Sequence, residues 1–166
     1  MLVWLESTAL SQWVVGSPSL FAFPGILALH AIGMAFAVGL SIVIDLRILG
    51  VARAVPTGAL RRFMPALWFG FWLNAGSGLL LLIGYPTKAL TNPVFYLKLA
   101  LIGAAMALLA SIARRVFTDT LDDSTEPGRS VVRSLRWRAI ASLVCWTGAI
   151  TAGRLLAYTY TMLTAG

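Results

Sequence analysis

Apolar and polar residues alternate along this chain in long blocks rather than residue by residue. Four apolar blocks, roughly 21–44, 64–84, 94–113 and 139–162, are divided by polar segments. Each block holds about the 20 residues that a helix needs to cross a bilayer core. Pro24 and Pro65 fall near the starts of the first two, where proline is tolerated. The blocks predict an all-α fold, an integral membrane four-helix bundle forming a single domain over 1–166. The first twenty residues predict a short amphipathic interfacial helix. In that helix Trp4, Leu5, Ala9 and Trp13 face lipid, while Glu6, Ser7 and Ser11 face water. Gly16, Ser17 and Pro18 then break it ahead of the first span.

Within the first span, His30, Met34, Ala37, Ser41 and Asp45 fall on one helix face at steps of three and four. Gly33, Ala37 and Ser41 repeat small residues at the spacing that lets membrane helices approach closely. The second span carries Gly70, Asn74 and Gly78 at the same interval.

Composition sharpens this picture. Of 166 residues, 59% are hydrophobic and 11% charged, with a mean hydropathy of +0.86. Soluble domains carry about 25% charged residues, so the lipid bilayer is the expected solvent. The net charge of +7 does not imply nucleic acid, because the basic residues sit beside the apolar blocks. Ten of the thirteen lie in the segments after spans one and three: Arg47, Arg53, Arg61, Arg62, Arg114, Arg115, Arg129, Arg133, Arg136 and Arg138. Excess Lys and Arg marks the cytoplasmic side, which predicts extracytoplasmic termini. No Lys or Arg precedes Arg47, so the basic region of a cleavable signal peptide is missing. The single cysteine, Cys145, excludes an intramolecular disulfide and reads as a buried structural thiol.

Candidate chemistry gathers in the outer half of the bundle. His30, the only histidine, lies about nine residues, or ~13 Å, from the outer end of span one. Asn74 lies near the middle of span two, Lys98 at the outer entrance of span three and Arg154 near the outer third of span four, and His30, Asn74 and Arg154 are expected to face the interior. Charged groups within a span usually mark a site or a partner. Plainer duties compete: Lys98 and Arg154 snorkelling to the headgroups, Asn74 joining helices, Asp45 pairing with Arg47 or a nearby arginine.

Three strings, LALHAIGMAFAVGLSIVIDLRILG, NPVFYLKLALIGAAMALLA and TAGRLLAYTY, resemble an uncharacterised bacterial family of four-span inner-membrane proteins. More loosely, they are similar to the membrane domain of copper-resistance D-type proteins. The resemblance covers most of the chain outside Arg114–Arg138. It carries over His30 with Asp45 and Arg47, Lys98, and Gly153 with Arg154. It implies an inner-membrane location and metal handling. The chain departs from the copper-related proteins in lacking a series of His, Cys or Met ligands. It also lacks the histidine pairs of a bis-histidine cytochrome.

The first functional reading is a redox subunit for electron transfer, with His30 ligating haem b or lining a quinone pocket. Arg154 and Lys98 would hold the haem propionates, and Met106 at similar depth would supply a sixth ligand. A second reading is a non-catalytic membrane anchor, within a homo-oligomer or larger membrane complex. A third is copper handling by His30 and Met34, whose imidazole and thioether suit Cu(I). No Ser/His/Asp arrangement, phosphate loop or carboxylate pair supports hydrolysis, so the chain by itself is not expected to be an enzyme.

Overall fold

The computed structural model describes residues 2–118 and 129–163, and among these it is helical without a strand. Seven helices follow in order: α1 (Leu2–Glu6), α2 (Ala9–Gly16), α3 (Phe23–Leu49), α4 (Thr57–Gly84), α5 (Pro86–Leu90), α6 (Pro93–Thr118) and α7 (Arg129–Leu163). Four of them, α3, α4, α6 and α7, are long and apolar enough to cross a membrane. The acidic segment Asp119–Glu126 lies outside the described residues, as do the side chains of Tyr158 and Tyr160.

The long helices overrun the apolar blocks at the arginine-rich end. Helix α4 starts at Thr57 rather than Met64, and α7 at Arg129 rather than Ala139. Arginine is a good helix former, so charge marks where a membrane face would lie without ending the helix. Pro65 therefore stands inside α4. Helix α3 ends at Gly50, whose φ of 87° is left-handed and whose N–H reaches the carbonyls of Arg47 and Leu46. Helix α6 begins with Pro93 after Asn92, whose Oδ1 accepts from the Val94 N–H.

Helices α3 and α4 form one antiparallel pair and α6 and α7 a second, joined chiefly between α3 and α7. The α3–α4 pair is held by a close backbone approach. A Cβ on Gly33 would come within 2.5 Å of the Asn74 backbone nitrogen, and one on Gly70 within 2.5 Å of the Phe36 Cβ. Small residues at this crossing let the two helix backbones approach this closely. A core of Val38, Ile44, Leu67, Met106, Leu109 and Trp146 fills the middle of the bundle and its arginine-rich end.

The N-terminal segment forms two short helices, not one. The Ser7 and Thr8 hydroxyls donate to the carbonyls of Trp4 and Leu5, and extended Thr8 then caps α2 by accepting from the Ser11 N–H. Ser11 is buried rather than facing water: its Oγ donates to the Gly84 carbonyl at 3.5 Å, beside Val14. Trp4 and Trp13 are exposed. Glu6 Oε1 accepts from the Thr87 N–H, tying α1 to α5. The segment thus closes over the end of α4 instead of presenting one polar face.

Candidate functional site: a cavity at the histidine end

His30 lies one turn before Gly33, so the glycine contact that joins α3 and α4 also carries its imidazole to α4. Two hydrogen bonds lock it there. His30 Nδ1 lies 3.0 Å from the Asn74 carbonyl oxygen, and Asn74 Nδ2 donates back to the His30 carbonyl at 2.8 Å. A carbonyl oxygen only accepts, so Nδ1 carries the proton. Ser77 Oγ, 3.2 Å from Nδ1, donates its own proton to the Leu73 and Asn74 carbonyls and cannot reverse that assignment. In the neutral ring Nε2 is then the acceptor. Gly78 sets the remaining wall, since a Cβ there would stand 3.1 Å from His30 Cε1.

The imidazole lines two cavities. The larger, of about 260 Å³, has apolar walls that include Phe23, Leu27, Leu81 and Phe95, with Tyr85, Lys88 and Lys98 as further polar members. The smaller, of about 30 Å³, lies on the other side of His30 and includes Met34, Asn74, Lys98 and Trp146. Lys98 belongs to both, and its stem passes Gly153 of α7, where a Cβ would be 3.7 Å from Cε. Along the wall of the larger cavity, Lys88 Nζ sits 5.8 Å over the Tyr85 ring. Among the described residues no carboxylate lines either cavity, so the charge they can carry near neutral pH is basic.

The structure sorts the sequence candidates unequally. It brings His30, Asn74 and Lys98 together, with Met34 at the edge of the smaller cavity. Arg154 does not face the interior: it is exposed, because Gly153 takes the inward position on α7 and the next residue turns about 100° away. Met106 is buried in the core and lines neither cavity. It lies two turns beyond Lys98 on α6, about 12 Å deeper, and so does not stand opposite His30. Asp45 pairs with no arginine by hydrogen bond; Arg47 Nε donates instead to the Val55 carbonyl. Thr147 and Thr151 are exposed and bond to their own helix.

Sequence reasoning missed Tyr85, Lys88 and Phe23. Phe23 starts α3, Tyr85 separates α4 from α5 and Lys88 lies within the short α5, and only the tertiary fold gathers them on one cavity. Phe23 and Tyr85 meet edge to face at 6.0 Å, which closes the gap between α3 and α4. Among the described residues no group of three or more His, Cys, Asp or Glu is placed to hold a metal. Compared with protein-family models, curated proteins and solved structures, the chain matches none.

Proposed function

We propose that this protein is a small multi-pass subunit of a bacterial inner membrane, and that the larger cavity binds the head group of a quinone. The arginine-rich end then faces the cytoplasm and the histidine end the outer side, following the distribution of Lys and Arg. The family resemblance agrees with that location. The N-terminal helices, with Trp4 and Trp13 exposed, would lie at the outer headgroups.

One observation carries the ligand assignment. His30 is held in the Nδ1–H tautomer in an apolar cavity it shares with a lysine. Lys98 can donate to a quinone carbonyl oxygen, and Nε2 can accept from a hydroquinone hydroxyl. The bond from Nδ1 to a backbone carbonyl orients the ring and makes Nε2 a better acceptor. A quinone, when bound, supplies reversible two-electron, two-proton chemistry. The chain's part is to position the ring, exclude water and receive or return one proton at Nε2.

Size favours a single ring. An apolar cavity of ~150 Å³ accepts benzene, whereas drug-sized ligands occupy roughly 300–1,000 Å³. The 260 Å³ here suits one substituted ring whose tail leaves between the helices. Haem b does not fit these residues: the cavity is small for a macrocycle, Met106 is elsewhere and Arg154 is turned outward. Copper does not fit either, because His30 and Met34 offer only two ligands, and among the described residues no group of three His, Cys, Asp or Glu is placed to complete the site.

A second reading rests on the paired His30–Asn74 bonds, which also serve as helix–helix glue in a non-catalytic anchor. Titration of the purified protein with a short-chain ubiquinone, followed by tryptophan fluorescence, separates the two. Saturable quenching that His30→Phe and Lys98→Met each weaken supports the quinone site. No saturable quenching leaves the anchor, and a Soret band in the reduced-minus-oxidised spectrum would restore haem.

A further inference from the structure

Between the histidine end and the arginine-rich end lies a polar group that the cavity chemistry does not use. Asp45 is fully buried in α3, and neither carboxylate oxygen has a hydrogen-bond partner. The polar side chain facing it is Ser142 of α7, also fully buried, whose Oγ has no partner either. The two approach each other without meeting hydrogen-bond geometry. One turn before Asp45 on the same face, Ser41 is fully buried, with its hydroxyl proton given to the Ala37 carbonyl at 2.6 Å. One turn beyond Ser142, the Trp146 Nε1 is buried and unpartnered too. Trp146 lines the small cavity beside His30, whereas Ile44 and Arg47 line another of about 230 Å³ at the arginine-rich end.

A serine inside a helix ordinarily returns its hydroxyl to its own backbone, as Ser41, Ser77 and Ser111 do here. Ser142 does not, and it faces a carboxylate. A carboxylate removed from water needs a counter-charge or a proton. The nearest arginine in sequence, Arg47, is engaged with the Val55 carbonyl, and the surrounding core cluster holds no charged side chain.

We propose that Asp45, with the Ser142 and Ser41 hydroxyls, is an intramembrane binding site for a monovalent cation, either a proton or a sodium ion. The carboxylate supplies the charge and the serine oxygens supply lone pairs. The site lies on the side of Trp146 away from the His30 cavity, and it stands whether or not that cavity holds a quinone. A proton needs no added volume and converts Asp45 into a donor to Ser142. A sodium ion needs the oxygens of both helices to converge on it.

Two measurements on the full-length protein in detergent test this. The first is the thermal unfolding temperature in sodium chloride and in choline chloride at equal ionic strength. The second is the infrared spectrum in the region of protonated carboxyl groups. A rise in unfolding temperature with sodium that is lost in Asp45→Asn identifies sodium. No sodium response, with a protonated-carboxyl band present in wild type and absent in Asp45→Asn, identifies the proton. Ser142→Ala retains the carboxyl and keeps the test open if Asp45→Asn does not fold. It should weaken the sodium response or shift the carboxyl band. Neither a sodium response nor a band assignable to Asp45 overturns the proposal.

Discussion

His30 and Asn74 bind each other twice, in opposite directions. The imidazole Nδ1 donates to the Asn74 carbonyl, and the Asn74 side chain donates to the His30 carbonyl. Each residue thus occupies a backbone carbonyl of the facing helix, one turn from the crossing where Gly33 meets Gly70. The pairing fixes both the α3–α4 register and the acceptor nitrogen of the cavity. Because His30 is the only histidine, its tautomer can be read without assignment. Nitrogen-15 NMR of histidine-labelled protein should find a protonated Nδ1 and an unprotonated Nε2 in the neutral ring. The reverse tautomer would remove the acceptor role.

The glycine crossing should be intolerant of a single methyl group. A Cβ at Gly33 would meet Asn74 and Gly70 backbone atoms, which cannot yield as a side-chain tip can. Gly33→Ala is expected to cost about 1–3 kcal/mol through forced helix separation. Gly103 faces open space, so Gly103→Ala should be neutral or mildly stabilising. Thermal unfolding of the two variants in one detergent compares them directly; equal effects would contradict the close approach.

Asn74 contributes on both sides of the interface. Asn74→Ala deletes the bond to the His30 carbonyl but keeps the backbone oxygen that holds Nδ1. The stability loss should be about 0.6–2 kcal/mol, the range for hydrogen bonds between membrane helices. Quinone affinity should fall less than in His30→Phe. A loss as large as that of His30→Phe would mean that the amide, rather than the ring, contacts the ligand.

Lys98 and Arg154 should behave differently although both are basic residues in apolar spans. Lys98 lines both cavities, whereas Arg154 is exposed on α7. Lys98→Met is expected to weaken quinone binding tenfold or more, about 1.4 kcal/mol. Arg154→Leu should change it less than twofold. The fluorescence titration reads both, and an Arg154 effect equal to that of Lys98 would relocate the site.

The four-span arrangement can be checked independently of the site. Reporter fusions within the Arg53–Arg62 segment and after the C-terminus should report opposite sides of the membrane. Matching signals would contradict the four-span arrangement.

The sequence by itself determined the class of fold. Four blocks of apolar residues, arginines beside alternate ends and small residues every fourth position are local properties, each readable without knowing what packs where. Helix existence follows from them because backbone groups in lipid must bond within their own segment. Helix ends did not follow, since arginine extends a helix beyond the apolar block. The pairing of His30 with Asn74 was half legible, as two polar positions flanked by glycines. The direction of Arg154 was not, because one residue of helix rotation separates an inward from an outward side chain. Membership of Tyr85 and Lys88 in the cavity, and the isolation of Asp45 beside Ser142, belong to the tertiary structure alone. They depend on which faces of α3, α4 and α7 meet, and close packing rather than residue type decides that.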